Sequence, residues 1–262
     1  VDCAVFGPYS QASFLLAMAA CKLRGVRLVI WYESHDTSSI APTALGRVAR
    51  WVKRQLFRWA DAIVVPGLMA KSSATKLGVS QDRIFIAPHS VDLDVFDIRP
   101  QCDELTDRMK EVLHTTKEYN KVLLYVGQSV PRKNVGMVVD VFKRVGLKNV
   151  CLLLVGVGSA MRSGGPVHVV PYLQREELAQ LLNFASGLVL ASKHEVWGLV
   201  VNEALASGVP VLVSRSCGAS EMVVERENGF LFDHEKASDF ERALLAWAQA
   251  PNPDRRAIRA SV

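Results

Sequence analysis

Nine short runs of unbroken apolar residues constrain this chain more than any other feature. "DCAVFG" (2–7), "RLVIWY" (27–32), "AIVVPG" (62–67) and "RIFIAP" (83–88) come first. "KVLLYVG" (121–127), "VCLLLVG" (150–156), "VHVVPY" (167–172), "GLVLAS" (187–192) and "VPVLVS" (209–214) follow. Runs of this length suit strands covered on both faces, as in a parallel sheet. Helical patterns lie between most of them, at 11–23, 45–59, 68–77, 134–145, 175–185 and 198–207. Parallel strands need such crossovers, so the rhythm predicts an α/β architecture with right-handed β–α–β units.

The rhythm breaks once. Residues 99–120, "RPQCDELTDRMKEVLHTTKEYN", are polar and hold no strand run, and they read as a linker. That leaves an α/β half over 1–98 and another over 121–262. A doubly wound domain normally opens with a strand running into a glycine-rich turn, and the first half has no such opening. The chain begins directly on an apolar run and ends at "RRAIRASV". Complete domains usually start and stop in polar residues. An incomplete first domain, with weak activity for the chain alone, is therefore expected.

Composition narrows the function classes. Of 262 residues, 50% are hydrophobic and 22% charged, which fits globular domains and excludes a disordered chain. No apolar run reaches the length of a membrane span, and Val1-Asp2-Cys3 offers no basic leader. The five cysteines are odd in number and lack C-x-x-C spacing, so they read as reduced thiols of a cytoplasmic protein. They make neither a zinc site nor a disulfide frame. The net charge of +5 is unevenly spread: "RVARWVKRQLFRW" (47–59) holds Arg47, Arg50, Lys53, Arg54 and Arg58 and no acid. Such a helix can lie on an anionic membrane surface. It can equally pack Val48, Trp51, Val52, Leu56 and Trp59 onto a sheet and leave its arginines solvated. The letters leave both readings open. Nucleic acid is excluded as a partner, since no basic, aromatic-interleaved surface or known module is present.

The chemistry concentrates in "KHEVWGLVVNEALASGVPVLVS" (193–214). Glu195 falls in a loop after a strand, and Gly198 to Ala206 reads as a helix stopped by Gly208 and Pro210. Glu203 lies about a turn and a half into that helix, and its side chain leans back toward the amino end. The helix start offers backbone N–H groups and partial positive charge, a site for phosphate. Carboxylates beside it are suited to hydroxyls, so the pattern fits a ligand carrying phosphate and polyols. A solvated Glu195 and a Glu203 that merely complements the helix dipole fit the same letters. Upstream, "YVGQSVPRKN" places Gly127, Gln128, Arg132 and Lys133 at another strand end, where two cations could neutralise a diphosphate. In the first half, Glu33, His35 and Asp36 cluster after the strand "RLVIWY".

"LYVGQSVPRKN", "LLLVGVG", "LVLASKHEVWGLVVNEALASGVPVLVS", "GASEMV" and "NGFLF" stand in the order and spacing of the nucleotide-sugar domain of family-4 retaining glycosyltransferases. Residues 121–245 resemble that domain, and "DAIVVPGLMAKSSATKLGVSQDRIFIAPHSVDLDVF" resembles the family's first domain. The resemblance implies a GT-B fold, two Rossmann-like domains facing a cleft. It implies transfer of a sugar from a nucleotide-diphosphate donor to a glycan or lipid-linked acceptor, with retention and without a metal or cofactor. Glu195 would lie beside the donor sugar, Glu203 on the ribose hydroxyls, and the N–H groups near Gly198 and Leu199 on the diphosphate with Lys133. The base would rest on main chain from Val170 to Tyr172. Glu33 or His35 would face the sugar or the acceptor, as the alignment fits either. Gln128 departs from the family, which often has Arg there, and Arg132 is a candidate substitute. His89 and Ser90 depart from a usual Asn-Gly. A nucleotide-sugar-binding module without activity is the competing reading. A sugar-nucleotide epimerase fits the E-x7-E spacing less well.

Overall fold

The strand runs form two separate parallel sheets in the computed structural model, which describes residues 1–7, 12–34, 43–98 and 105–262. In the first, β1 (Cys3–Phe6), β2 (Arg27–Trp31), β3 (Ala62–Val65) and β4 (Ile84–Ile86) pair in the order β1-β2-β3-β4. The crossovers are α1 (Ala12–Leu23), α2 (Ala44–Trp59) and α3 (Leu68–Lys76). Leu28, Ile30, Tyr32, Phe57, Ile63 and Val65 form the centre of this core.

The second sheet has six parallel strands. β5 (Lys121–Val126), β6 (Val150–Val155), β7 (Val167–Val170), β8 (Gly187–Leu190), β9 (Val211–Ser214) and β10 (Gly229–Phe232) stand in the order β10-β9-β8-β5-β6-β7. Along β5, Val122 and Leu124 face one core, while Leu123 and Tyr125 face the other. That two-sided burial is why the runs show no polar alternation. One layer carries α4 (Asp107–Thr116), α6 (Arg175–Phe184), α7 (Leu199–Ala206) and α9 (Arg255–Arg259). The other carries α5 (Val135–Val145) and α8 (Ala237–Gln249). Strand order reverses between β5 and β8, so the helices that follow them, α5 and α7, lie on opposite faces of the sheet and leave a crevice at the strands' carboxyl ends.

Two differences from the sequence reading stand out. The chain divides into compact units at 1–89 and 90–262, not at 98. Phe96 is buried with the second core, and Arg259 Nη1 and Nη2 donate to the carbonyls of Phe96 (2.7 Å) and Leu93 (3.0 Å). The segment read as linker is described from residue 105, and it forms α4, which seats Met109 and Val112 in the same core. Its outer face is polar, which hides the buried stripe from a reading by composition. No helix among the described residues is long and apolar enough to cross a membrane.

Candidate functional site

The loops after β5, β8 and β9 meet beside the strand-order reversal. β5 and β8 are neighbours, with Tyr125 opposite Val189. Beyond them, Lys193 N–H donates to the Arg132 carbonyl at 2.8 Å and fixes one loop to the other. The third loop adds a short parallel bridge between Glu195 and Cys217. There Gly218 N–H donates to the Glu195 carbonyl (3.0 Å) and Ala219 N–H to that of Trp197 (2.9 Å). The backbone under Glu195 is thus held from both sides. Trp197, buried, donates its indole N–H to Asn202 Oδ1 at 2.8 Å, which pins the loop onto α7.

Charge is concentrated on one oxygen. Glu195 Oε2 lies 2.5 Å from Lys133 Nζ and 3.3 Å from Arg132 Nη1, and it accepts from the Ser192 hydroxyl at 3.2 Å. Lys133 and Glu195 are 18% and 17% exposed in their side chains, Arg132 54%. The structure therefore joins Glu195, Lys133 and Arg132, three residues that the sequence marks separately. The cluster keeps a net positive charge, since two cations face one carboxylate. Tyr125 supports it from below. Its hydroxyl donates to the Gln128 carbonyl at 3.2 Å and is held protonated beyond the ordinary phenol range, by burial first and then by the Glu195 charge. Burial likewise pushes the Cys217 thiol up to about 12, with Glu195 adding to it.

Beside this cluster lies a cavity of about 330 Å³ lined by Gly127, Gln128, Gly156, Tyr172, Arg175 and Glu203. Glu203, half-buried, is its acid. Burial raises its pKa above the usual carboxylate range, and the Arg175 charge opposes that rise. Gly127 adopts φ 149° where the chain leaves β5, and Gly198 adopts φ 107° at the start of α7. Both values favour glycine. At Gly198 a Cβ would also lie 2.6 Å from Leu190 Cδ2. Leu199, 45% exposed, opens the helix, whose first N–H groups have no partner within the helix. The Val170 carbonyl accepts from Gly156 N–H (3.0 Å) and the Tyr172 carbonyl from Arg108 Nη1 (3.2 Å), so both are engaged.

In the first unit, Glu33 Oε1 accepts from the Trp31 indole N–H at 2.7 Å and lies 3.4 Å from His89 Nε2. His35 and Asp36 lie outside the described residues. The side chain that meets Glu33 is His89, which the sequence marks only as a departure in a turn. Ser192, Tyr125, Trp197 and Asn202 are further residues that sequence reasoning does not single out. Among the described residues, no group of three or more His, Cys, Asp or Glu converges as a metal site.

Two Rossmann-like units, the second with a cationic strand-end site, define a two-domain α/β protein. The family described as Glycosyl transferases group 1 matches residues 107–261, and Glycosyltransferase Family 4 matches 7–95. The first match covers more than half of the chain, and the chain belongs to the group 1 glycosyltransferases. An uncharacterized glycosyltransferase of Methanocaldococcus jannaschii is 27% identical over 52% of this chain and 40% of its own length. The sulfoquinovosyl transferase of Arabidopsis thaliana is 25% identical over 85% of this chain and 45% of its own. The chain spans about half the length, or less, of these curated relatives. Among solved structures, Anabaena HepE in complex with UDP and glucose superposes with a TM-score of 0.73 at 15% identity. That match covers 98% of this chain and 71% of the other. A glycosyltransferase of Rickettsia africae gives 0.78 at 13%, with coverages of 98% and 71%. The fold is of the GT-B type.

Proposed function

We propose that the chain transfers a sugar from a nucleotide-diphosphate donor to an acceptor hydroxyl, with retention at the anomeric carbon. The observation that carries this reading is the convergence at the β5/β8 crevice of two cations, a helix start and a cavity with a half-buried acid. The cations and the N–H groups at Gly198 and Leu199 suit a diphosphate. Glu203, half-buried in the cavity with Gly127, Gln128 and Tyr172, suits ribose hydroxyls, with the base along Val170–Tyr172. Glu195 stands with the phosphate cations, where it would orient Lys133 and border the sugar. HepE is solved with UDP, which makes UDP the first nucleotide to test.

Catalysis in this scheme is positioning and charge stabilisation. The bond from the anomeric carbon to the diphosphate oxygen breaks as that carbon bonds the acceptor oxygen on the same face. The acceptor proton passes to the departing phosphate, whose growing charge Lys133 and Arg132 offset. The acceptor is a glycan or lipid-linked hydroxyl, and Glu33 or His35 of the first unit would contact it or the transferred sugar. No resident metal enters this scheme, so EDTA should leave the rate unchanged.

Calorimetry with UDP and UDP-sugars, paired with product analysis by NMR, tests the reading. Glu203→Ala should weaken nucleotide binding roughly tenfold, as expected for a lost charged hydrogen bond. Glu195→Ala should lower transfer roughly a hundredfold with a smaller change in binding. Failure of every nucleotide diphosphate to bind would overturn the proposal, and an inverted product would overturn retention. Gln128, neutral where the family often has Arg, favours a second reading as a binding module, which binding without transfer or donor hydrolysis would establish.

A further inference from the structure

Helix α2 carries three distinct faces. Phe57 and Ala60 at its end are buried, and Leu56 packs against the same core. Lys53 turns inward with them: its Nζ lies 3.4 Å from the Tyr32 hydroxyl and 4.8 Å from the centre of that ring. The apolar stripe that could have packed on the sheet does not. Val48 is 57% exposed, Trp51 62%, Val52 38% and Trp59 46%. At 100° per residue these four fall within an arc of about 100°. Arg47, Arg50, Arg54 and Arg58 fill the adjoining arc of about 80°, all exposed, and the helix holds no acid.

We propose that this face seats the first unit on an anionic lipid bilayer, with the two indoles and two valines in the interface and the arginines on lipid phosphates. Indoles are amphipathic and settle at headgroup depth, where an apolar body meets water. Arginines beside them draw the helix to negative lipid. An exposed stripe of two Trp and two Val beside four arginines has the composition of an interfacial helix. A second copy of the chain is a poorer occupant, because like stripes would bring eight arginines together against their own charge. The proposal does not rest on glycosyl transfer and would hold for a binding module as well.

Co-sedimentation of the whole chain with vesicles decides it. Wild type should pellet with equimolar phosphatidylglycerol and phosphatidylcholine, remain in solution with phosphatidylcholine alone, and be released by high salt. Indole emission should shift to shorter wavelength on binding. Arg50→Glu/Arg54→Glu and Trp51→Ser/Trp59→Ser should each cut partitioning roughly tenfold or more. All four positions are exposed, so the variants should keep the wild-type far-UV circular dichroism. Equal binding of the variants, or equal binding to both vesicle types, overturns the proposal. So does a wild-type chain that stays in solution with all vesicles, or one that forms a dimer abolished by Trp51→Ser/Trp59→Ser.

Discussion

Glu203 sets a cost in stability against its proposed contact with the nucleotide. Its side chain is half-buried, and that burial raises its pKa while the Arg175 charge opposes the rise. A raised acid in the folded state binds protons that the unfolded chain has already lost. Stability is therefore lost as pH rises from the ordinary carboxylate range, near 4.3, through the folded value. Glu203→Gln should melt higher than wild type near pH 7, by a few degrees at most. The difference should fade as pH drops below about 4. The same variant should bind nucleotide more weakly, the exchange expected where a destabilised group serves a ligand. Differential scanning fluorimetry across pH, with and without UDP, reads both effects. A lower melting point at pH 7 would mean that Arg175 outweighs burial.

At the scale of elements, the backbone entry to α7 is the sharpest case. Gly198 combines a left-handed φ with a Cβ position 2.6 Å from Leu190 Cδ2. Gly198→Ala should cost about 1–3 kcal/mol and displace the helix start from the proposed phosphate site. Gly136, exposed in α5 with nothing near its Cβ position, is the matched control. Alanine there should be neutral or stabilise by up to about 1 kcal/mol. Urea unfolding of the two variants makes the comparison. Most strands of the second sheet were legible because two-sided burial leaves an unbroken run of apolar letters, and those of the first are as apolar in sequence although one face is only partly covered. α8 was missed, although Phe240, Ala243, Leu244 and Trp247 stand at helical spacing on one buried face. β10 offers only "GFLF", too short to stand out except through the family resemblance. Pattern also marked Glu195, Glu203, Arg132 and Lys133, since each sits at a strand end or helix start. It could not show that three of them share one oxygen, or that Ser192 and Tyr125 support them. Those contacts join residues that only the folded sheet brings together.

At the scale of the molecule, the boundary between the units carries its own consequence. Composition places it in the polar stretch 99–120, whereas packing gives residues 90–98 and α4 to the second unit. Phe96, Met109 and Val112 are 1%, 0% and 8% exposed, all in the core that also holds α6 and α7. Asn183 on α6 donates to the Asp97 carbonyl at 3.1 Å, and Arg259 reaches Leu93 and Phe96. A fragment of 121–262 would lose all three side chains and expose the surface beneath them. At about 1.5–3 kcal/mol for each buried side chain, the loss is on the order of 5–9 kcal/mol. That is comparable with the whole stability of an ordinary domain, about 5–15 kcal/mol. A fragment of 90–262 should therefore melt cooperatively and be stabilised by UDP, while 121–262 should aggregate or unfold at a much lower urea midpoint. Circular dichroism during urea titration of both fragments is the measurement. An equal midpoint for 121–262 would show that α4 and the segment before it only cover the second unit and do not hold it together.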